Sequence, residues 1–411
     1  MAIISAFRAL RPAKDLASRV ASLPYDVLNS AEAGVVAENN PYSFLHITKS
    51  EIDLPEGTDV HAEKVYHKAA DNLSVFRDHK ILIHDDQPSY YIYELTMSGR
   101  TQTGLVCVSA VADYENNIIR KHEFTRPEKE QDRINHIRIT GAQTGNVFLA
   151  YKANAQISHL INEWKTSHPA EYDFIADDGI GHRIWIVADP QSIRQITTIF
   201  EKEIPFTYIA DGHHRAASAA KVKKALGQHA TPESGFFLTT LFPSDDLKIM
   251  DYNRVVKDLN NLDTAGFLQK LNKDFLVEKQ SGAYSPDRLH NFGMYVDGQW
   301  YKLVAKEQTY PNDPIGILDV SILQENILTP ILDIRDPRTD NRIDFVGGIR
   351  GLGELEKRVD SKQMKVAFSL YPVSMDQLFD IADSGEIMPP KSTWFEPKLR
   401  DGLLTHLIYN T

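Results

Sequence analysis

The chain has 411 residues, too many for one ordinary hydrophobic core, so two or more lobes are expected. Apolar residues make up 42% and charged residues 25%, as in ordinary globular proteins. The formal net charge of −11 argues against binding to an extended nucleic acid, because an acidic surface repels its phosphates. A small phosphate ligand in a local basic pocket stays compatible with that charge.

No segment suggests export or membrane insertion. The opening MAIISAFRALRPAKD becomes charged too early for a signal peptide, and no apolar run approaches the ~20 residues of a membrane span. The single cysteine, Cys107, cannot form an internal disulfide, and its apolar neighbours indicate a buried side chain. We therefore expect a cytoplasmic protein without a membrane partner, and the sequence leaves open whether it forms a homo-oligomer.

The pattern along the chain predicts an α+β fold. The first ~50 residues are predicted to be irregular, because Pro12, Pro24 and Pro41 interrupt them. Helices are expected at 60–80 and 127–141, and a hairpin at Asp297-Gly298, a favoured two-residue turn. Strands and helices alternate without a steady parallel rhythm, which favours α+β. We place a core domain at 1–260 and a C-terminal α+β lobe at 261–411.

The most informative segment joins a strand to a helix. The apolar run IPFTYIA predicts a buried strand, Asp211-Gly212-His213-His214-Arg215 follow, and an alanine-rich helix begins there. Gly212 permits the sharp turn. Cations at a helix N-terminus are unfavourable unless an anion neutralises them, so the segment predicts a bound phosphate. Alternatively, Asp211 caps the helix, one histidine lies in the core and Arg215 makes a surface ion pair.

Two acids are candidates for a proton acceptor. Glu123, in KHEFTR at 121–126, has the chemistry of a general base or of a carboxylate holding a metal-bound water, or is a solvated charge. Asp26, in PYDV, is either an acid in a cleft or a cap. Asp211 with its histidines invites a metal, but neighbouring histidines on a helix diverge by ~100°, so Mg²⁺ held with nucleotide phosphates is favoured over zinc.

A proline-stiffened segment, MPPKSTWFEPK at 388–398, is the third candidate region. Two prolines reduce the entropy lost when Lys391 is fixed, and Ser392 and Thr393 add hydroxyl donors. The segment therefore suits an anionic group, and we expect it to close over the pocket of the 211–215 segment. Alternatively, it is a strap whose aromatic side chains pack on the core.

Seven sequence boxes occur in a fixed order across nearly the whole chain: PYDV, NPYSFLH, HEFT…DR, HRIW, YIADGHHRAASA, LDV with IL…PIL, and MPPKSTWFEPKLRDG. On these boxes the chain resembles a bacterial and archaeal family of unknown function, DUF1015, built around ADGHHR. Leu23 stands where that family usually has the first proline of PPYD. The ADGHHR box is also similar to the signature of the ParB/sulfiredoxin superfamily and to that of free-serine kinases of the SerK and SbnI type.

The resemblance implies a ParB/sulfiredoxin-like core with large additional α/β lobes, and a kinase that uses ATP or ADP with Mg²⁺ to phosphorylate a small hydroxyl substrate, free L-serine to O-phospho-L-serine. By the same resemblance, nucleotide phosphates are bound by Gly212, His213, His214 and Arg215, oriented by Asp211, which also helps to hold the metal. The kinases' catalytic glutamate has no clean match in this sequence, so Glu123 and Asp26 stay the two candidates for the proton acceptor. From the residues themselves, we expect the substrate to contact Lys391, Ser392, Thr393, Lys398 and Arg126. The alternatives are a nucleotide-binding switch of ParB type without turnover and a metal-assisted phosphohydrolase.

Overall fold

The computed structural model describes residues 1–409, which divide into two units. The first comprises Met1–Leu247 and the closing segment from Pro397 onward, and the second is Lys248–Glu396. The structure therefore divides the chain after Leu247 instead of at residue 260, and it returns the closing segment to the first unit. Backbone bridges explain this return, because Thr405 pairs with Leu10 and Asp401 pairs with Ser22.

The prediction of an α+β fold is confirmed by thirteen α-helices and twenty-one strands within the described residues. The helices are α1 (Ala17–Val20), α2 (Ser30–Ala37), α3 (Leu45–Thr48), α4 (Glu63–Asp78), α5 (Val111–Glu115), α6 (Pro127–Thr140), α7 (Ala155–Ser167), α8 (Pro190–Glu203), α9 (His213–Leu226), α10 (Thr264–Leu271), α11 (Asp319–Leu323), α12 (Gly351–Asp360) and α13 (Met375–Ser384). None of the helices in residues 1–409 has the length and apolarity needed to cross a bilayer.

The strands are mostly short, and the longest, β5, has 11 residues. In chain order they are β1 (Ile4–Ser5), β2 (Leu10–Pro12), β3 (Leu82–His84), β4 (Tyr90–Met97), β5 (Arg100–Ala110), β6 (Ile119–Arg120), β7 (Ala142–Gln143), β8 (Val147–Tyr151), β9 (Tyr172–Ile175), β10 (Gly181–Val187), β11 (Thr207–Asp211), β12 (Phe236–Pro243), β13 (Ile249–Met250), β14 (Tyr252–Val256), β15 (Phe275–Lys279), β16 (Asn291–Val296), β17 (Gln299–Ala305), β18 (Ile343–Gly347), β19 (Val366–Leu370), β20 (Trp394–Phe395) and β21 (His406–Leu407).

A nine-stranded mixed sheet forms the centre of the first unit. Its order is β6-β11-β8-β12-β5-β4-β10-β9, with β1 beside β5. The pairs β11–β6 and β12–β8 are parallel, and the other neighbours are antiparallel. Leu149, Ile209 and Phe200 belong to one apolar core with Ala216 of α9. This burial fixes the start of α9 against the end of β11.

The second unit is built on a six-stranded antiparallel sheet, ordered β15-β17-β16-β19-β14-β18. Val255, Val346 and Ala367 of this sheet pack with Leu355 of α12. The predicted hairpin is confirmed, because β16 and β17 are joined at Asp297 and Gly298, whose φ angles of 48° and 76° match the favoured two-residue turn.

The predicted helices at 60–80 and 127–141 are confirmed as α4 and α6. The prediction of irregular structure for the first ~50 residues is wrong at α2, because a capping box starts a regular helix there. The Asn29 side chain accepts from the Glu32 N–H at 2.9 Å, and the Glu32 carboxylate accepts from the Asn29 N–H at 2.8 Å. The spacing of an asparagine three residues before a glutamate was a readable signal for this helix.

We predict that Gly402→Ala destabilises the protein more than Gly99→Ala. Both glycines have positive φ, 87° and 77°, which costs an alanine ~1–2 kcal/mol. A Cβ at Gly402 would also lie 2.6 Å from Cβ of buried Phe44, and such overpacking adds ~1–3 kcal/mol, whereas Gly99 faces open space. Urea unfolding measures both changes, and an equal loss would contradict the packing of the closing segment on Phe44.

Candidate functional site

The site is built at the junction of β11 and α9. Gly212 lies between them with φ 100° and ψ 28°, a conformation that favours glycine. A Cβ at Gly212 would lie 3.1 Å from Nε of Arg215 and 3.3 Å from Cα of Val147. The position therefore needs glycine both for the turn and for the space, and the predicted strand–turn–helix arrangement is confirmed.

Asp211 lies between two cations. Its Oδ2 is 3.0 Å from Nζ of Lys398, and its Oδ1 is 3.2 Å from Nη2 of Arg215. Burial opposes ionisation of this carboxyl, but the charges of Lys398 and Arg215 outweigh it and hold the pKa of Asp211 well below its usual value. Asp211 therefore joins the end of β11 to the closing segment as a permanent anion.

Arg215 is held from several sides. Its Nη1 donates to the carbonyl of Asn146, and its Nη2 lies 3.9 Å from Oδ2 of Asp26. A Cβ at Gly145 would lie 3.2 Å from Cδ of Arg215, so a small residue is needed beside the arginine. Its Nε is buried and has no hydrogen-bond partner among residues 1–409. The guanidinium is thus fixed in position with one donor still available.

Two buried imidazoles meet at the start of α9. The rings of His122 and His213 are perpendicular, with centroids 4.6 Å apart. Both nitrogens of His122 and Nε2 of His213 lack hydrogen-bond partners within the described part of the chain. Burial lowers the pKa of His122 to about 4 and lowers the pKa of His213 well below its usual value. Both rings are therefore neutral at pH 7, and each offers one donor and one acceptor.

His214 differs from His213 because its Nε2 has a hydrogen-bond partner. Its Nε2 accepts a hydrogen bond of 2.9 Å from the backbone N–H of Arg126, and burial lowers the pKa of His214. The sequence-based argument for a cation-rich helix start is therefore wrong for the two histidines, since burial keeps them uncharged. Arg215 alone carries a charge in that turn, and Asp211 already balances it.

The two candidate acids both lie next to the junction. The Glu123 carboxylate is 3.9 Å from Nδ1 of His213, with 42% of the side chain exposed. The Asp26 carboxylate approaches Arg215, as given above, with 35% of its side chain exposed. The structure therefore brings Asp26, Glu123 and the 211–215 segment together, with Lys398 and the backbone of Arg126.

The predicted substrate residues divide between the two units. Lys398 and Arg126 belong to the first, and Lys391, Ser392 and Thr393 belong to the second. Ser392 is buried and its hydroxyl donates to the carbonyl of Pro389 at 2.6 Å. Lys391 is exposed, with its ammonium 5.7 Å from the ring centroid of Tyr252. Closure of this segment over the 211–215 pocket stays a prediction.

The residues present do not fit a resident metal ion. No group of three or more histidine, cysteine or acidic side chains in residues 1–409 is arranged to hold one. A metal at Asp211 would have to displace Lys398 or Arg215, because each carboxylate oxygen already has a cationic partner. The prediction of Mg²⁺ at Asp211 is therefore not supported by the geometry around it.

Three further residues belong to this site, although the sequence analysis did not select them. Arg133 is buried and stacks on Tyr25, with its guanidinium carbon 3.8 Å from the ring centroid. Tyr25, Arg133 and Arg215 line a cavity of about 20 Å³, which is room for about one water molecule. Asp401 is 1% exposed, and its Oδ2 has no hydrogen-bond partner among the described residues. The only sequence signal for Asp401 was that it lies in LRDG, at the end of the box MPPKSTWFEPKLRDG.

Residues 4–321 match the family model described as "Protein of unknown function (DUF1015)", so the chain belongs to that family. No curated protein matches the chain. The expected resemblance to this family is confirmed.

Solved structures similar to this chain include the following three. A free serine kinase variant in complex with AMP is 12% identical, with a TM-score of 0.38, and the match covers 73% of this chain and 92% of that one. A conserved hypothetical protein from Pyrococcus furiosus is 12% identical with a TM-score of 0.38, covering 74% and 97%. SbnI with a C-terminal truncation from Staphylococcus aureus is 11% identical with a TM-score of 0.38, covering 72% and 85%.

We predict that the stability of the Asp401→Asn variant, relative to that of the native chain, increases as the pH rises. Burial, reinforced by the charge of Asp26, raises the pKa of Asp401 to about 7 against the opposing charges of Arg215 and Arg133. Between the unfolded pKa near 3.8 and this folded value, the folded chain holds a proton that the unfolded chain has lost. Stability therefore falls with rising pH across that window, by at most about 1.4 kcal/mol per pH unit.

Thermal unfolding at pH 4, 5.5, 7 and 8 measures this difference, with Asp177→Asn on the exposed surface as the matched control. A difference between Asp401→Asn and the native chain that stays constant from pH 4 to pH 8 would show that the carboxyl does not retain its proton on folding.

Proposed function

We propose that this protein is a nucleotide-dependent kinase that transfers a phosphoryl group from ATP or ADP to a small hydroxyl compound, with free L-serine as the proposed acceptor and O-phospho-L-serine as the product. The observation that carries the proposal is the set of buried, unpartnered imidazole nitrogens of His122 and His213 at the start of a 14-residue helix. Each buried polar atom without a partner costs ~1–3 kcal/mol, so a ligand that bonds to them is favoured.

An anion is the ligand that best suits this arrangement. The first turn of α9 has neither a capping side chain nor an acidic residue, so its N–H groups and its dipole favour a negative group there. The neutral rings of His122 and His213 each add an N–H donor, and Arg215 adds its Nε. Lys398 and Arg215 supply positive charge, held in place by Asp211. These groups would bind the phosphates of the nucleotide.

Phosphoryl transfer needs mainly positioning and charge neutralisation, which these residues supply. The acceptor hydroxyl oxygen would bond to the terminal phosphorus as the bond from that phosphorus to the leaving nucleotide oxygen breaks. The hydroxyl proton would pass to a carboxylate, and we propose Glu123 or Asp26 for this role, because both lie next to the 211–215 segment. Mg²⁺ would arrive with the nucleotide phosphates, since the protein offers no cage for it among residues 1–409.

The proposal is tested by incubating the full chain with ATP or ADP and a panel of free amino acids, sugars and alcohols, followed by mass spectrometry. A phosphorylated product that appears only with one class of hydroxyl acceptor supports a kinase. Nucleotide binding without any phosphorylated product would favour a regulatory switch, and release of phosphate without transfer would favour a phosphohydrolase.

We predict that Arg215→Lys weakens nucleotide binding by ~1.5–3 kcal/mol, the range for a hydrogen bond to a charged group. Lysine keeps the charge but loses the planar fork that reaches Asp211 and Asn146 together. Isothermal titration calorimetry with ADP measures the loss, and Lys224→Met, exposed on the same helix, is the matched control. A folded Arg215→Lys variant with native affinity would remove this helix start from the binding site.

We predict that either Asp26→Asn or Glu123→Gln abolishes most of the turnover and keeps nucleotide binding. A carboxylate that accepts the hydroxyl proton contributes ~10²–10⁴-fold to the rate, and the amide preserves shape without the charge. Single-turnover assays with the acceptor found above, together with ADP titrations, separate the two effects. If both variants keep near-native turnover, the proton acceptor lies elsewhere.

A further inference from the structure

A second buried arginine lies beside the candidate site of the first unit. Arg133 belongs to α6, and only 8% of it is exposed. Burial of a guanidinium is costly unless its charge and its donors are compensated. Its Nε and its Nη2 both donate to Oδ2 of Asp132, at 2.9 and 2.6 Å. Its Nη1 makes no hydrogen bond to any of residues 1–409, so this buried cation keeps a donor for a ligand.

The guanidinium of Arg133 is held in place before any ligand arrives. Its carbon lies 3.8 Å from the ring centroid of Tyr25, so the tyrosine ring supports one face of it. Asp132, which anchors one edge, is itself fixed, because its Oδ1 accepts from the hydroxyl of Tyr66 at 2.9 Å. A ligand that bonds to a group ordered in this way loses little side-chain entropy on binding.

The cavity at Arg133 gives a ligand atom a place beside this donor. Its lining includes Tyr25, Arg133, Thr144, Gly145 and Arg215, which all belong to the first unit. Its volume of about 20 Å³ is room for about one group of the size of a water molecule. Burial raises the pKa of Tyr25 to about 12, so its hydroxyl keeps the proton at neutral pH and is a second donor.

The donors and the size of this cavity favour one oxygen of a carboxylate. A guanidinium N–H and a phenol O–H both donate, so the entering atom must accept, and a charged acceptor makes the stronger bond to Arg133. A phosphate group, with four oxygens around phosphorus, does not fit in room for one water molecule. Asp132 and Asp211 offset the charges of Arg133 and Arg215, so fixed donors rather than net charge select the group that binds.

We propose that the cavity at Arg133 binds the carboxylate of the acceptor, with Arg133 and Tyr25 as its donors. The acceptor class is then a hydroxyl compound that carries a carboxylate, not a sugar or a simple alcohol. This inference rests on the proposed function, because it names the substrate class of the same site. Tyr25 precedes Asp26, whose carboxylate lies 3.9 Å from Nη2 of Arg215, so a carboxylate bound here places the acceptor beside the 211–215 segment.

The test compares two probes that differ by a carboxylate. O-Phospho-L-serine and O-phosphoethanolamine share a phosphate and an amine, and only the first has a carboxylate. Titration calorimetry on the full chain should show that the native protein binds O-phospho-L-serine more than tenfold more tightly. Equal affinities would show that the cavity holds only a water molecule and would overturn the inference.

Two variants test the two donors separately. Tyr25→Phe removes the hydroxyl and keeps the ring beneath Arg133, so it should weaken binding of O-phospho-L-serine about fivefold, as expected for one hydrogen bond. Arg133→Lys keeps the charge but cannot bond to Asp132 and to a ligand in the same geometry, so the loss should be at least tenfold. Both variants should leave the affinities for O-phosphoethanolamine and ADP unchanged.

Each variant has a matched control in the first unit. Tyr42→Phe matches Tyr25→Phe, because the ring of Tyr42 also supports an arginine, with the guanidinium carbon of Arg19 4.2 Å from its centroid. Arg138→Lys, exposed on the same helix, matches Arg133→Lys. Both controls should leave all three affinities unchanged. Thermal unfolding shows whether each variant is folded, and Tyr25→Phe alone decides if Arg133→Lys does not fold.

An unchanged preference for O-phospho-L-serine in the folded variants overturns the inference, and so does a native protein that binds neither probe. Phosphoryl transfer to ethanolamine as fast as to L-serine overturns the inference alone and leaves the proposed kinase intact. A preference for O-phospho-L-serine that both variants lose, without phosphoryl transfer from ATP or ADP to any acceptor, overturns the proposed kinase alone and leaves the carboxylate site intact.

Discussion

The two ion pairs of Asp211 hold the site of the first unit together. One carboxylate oxygen binds Arg215, in the helix that follows, and the other binds Lys398, which belongs to the closing segment. Loss of either partner would leave this half-buried carboxylate with one cation instead of two. Asp211 therefore connects the end of β11 both to Arg215 and to the closing segment.

This charge balance changes what the neighbouring histidines contribute. Because the rings of His122 and His213 are buried, the cost of desolvating a charged ring outweighs the attraction of Asp211, and protonation of either ring is unfavourable. The rings are consequently dipolar hydrogen-bonding groups rather than cations. Attraction of an anion then depends on fixed N–H groups more than on net charge, which is compatible with an acidic protein.

Whether a feature of the site could be predicted from the sequence depends on how far apart in the sequence the interacting residues lie. The turn at Gly212 was predictable, because an apolar run, a glycine and an alanine-rich stretch are adjacent in sequence. The neutrality of His213 was not, since it depends on burial by residues from distant segments. Lys391 and Lys398 lie in one short box, and nothing in the local pattern shows that they belong to different units. Asp401 resembles a turn residue until its surroundings are known.

The second unit interrupts the first, and this order has a consequence for biosynthesis. A ribosome releases β11 and α9 long before it releases Lys398, so the nascent first unit holds Asp211 with one cation instead of two. The strand β21, which pairs with β7, also emerges after the whole second unit. N-terminal domains usually fold first during synthesis, but this one cannot finish until Lys398 and β21 have been synthesised. A competent site therefore requires that synthesis has passed the second unit, and a chain that stops within the second unit is left without one.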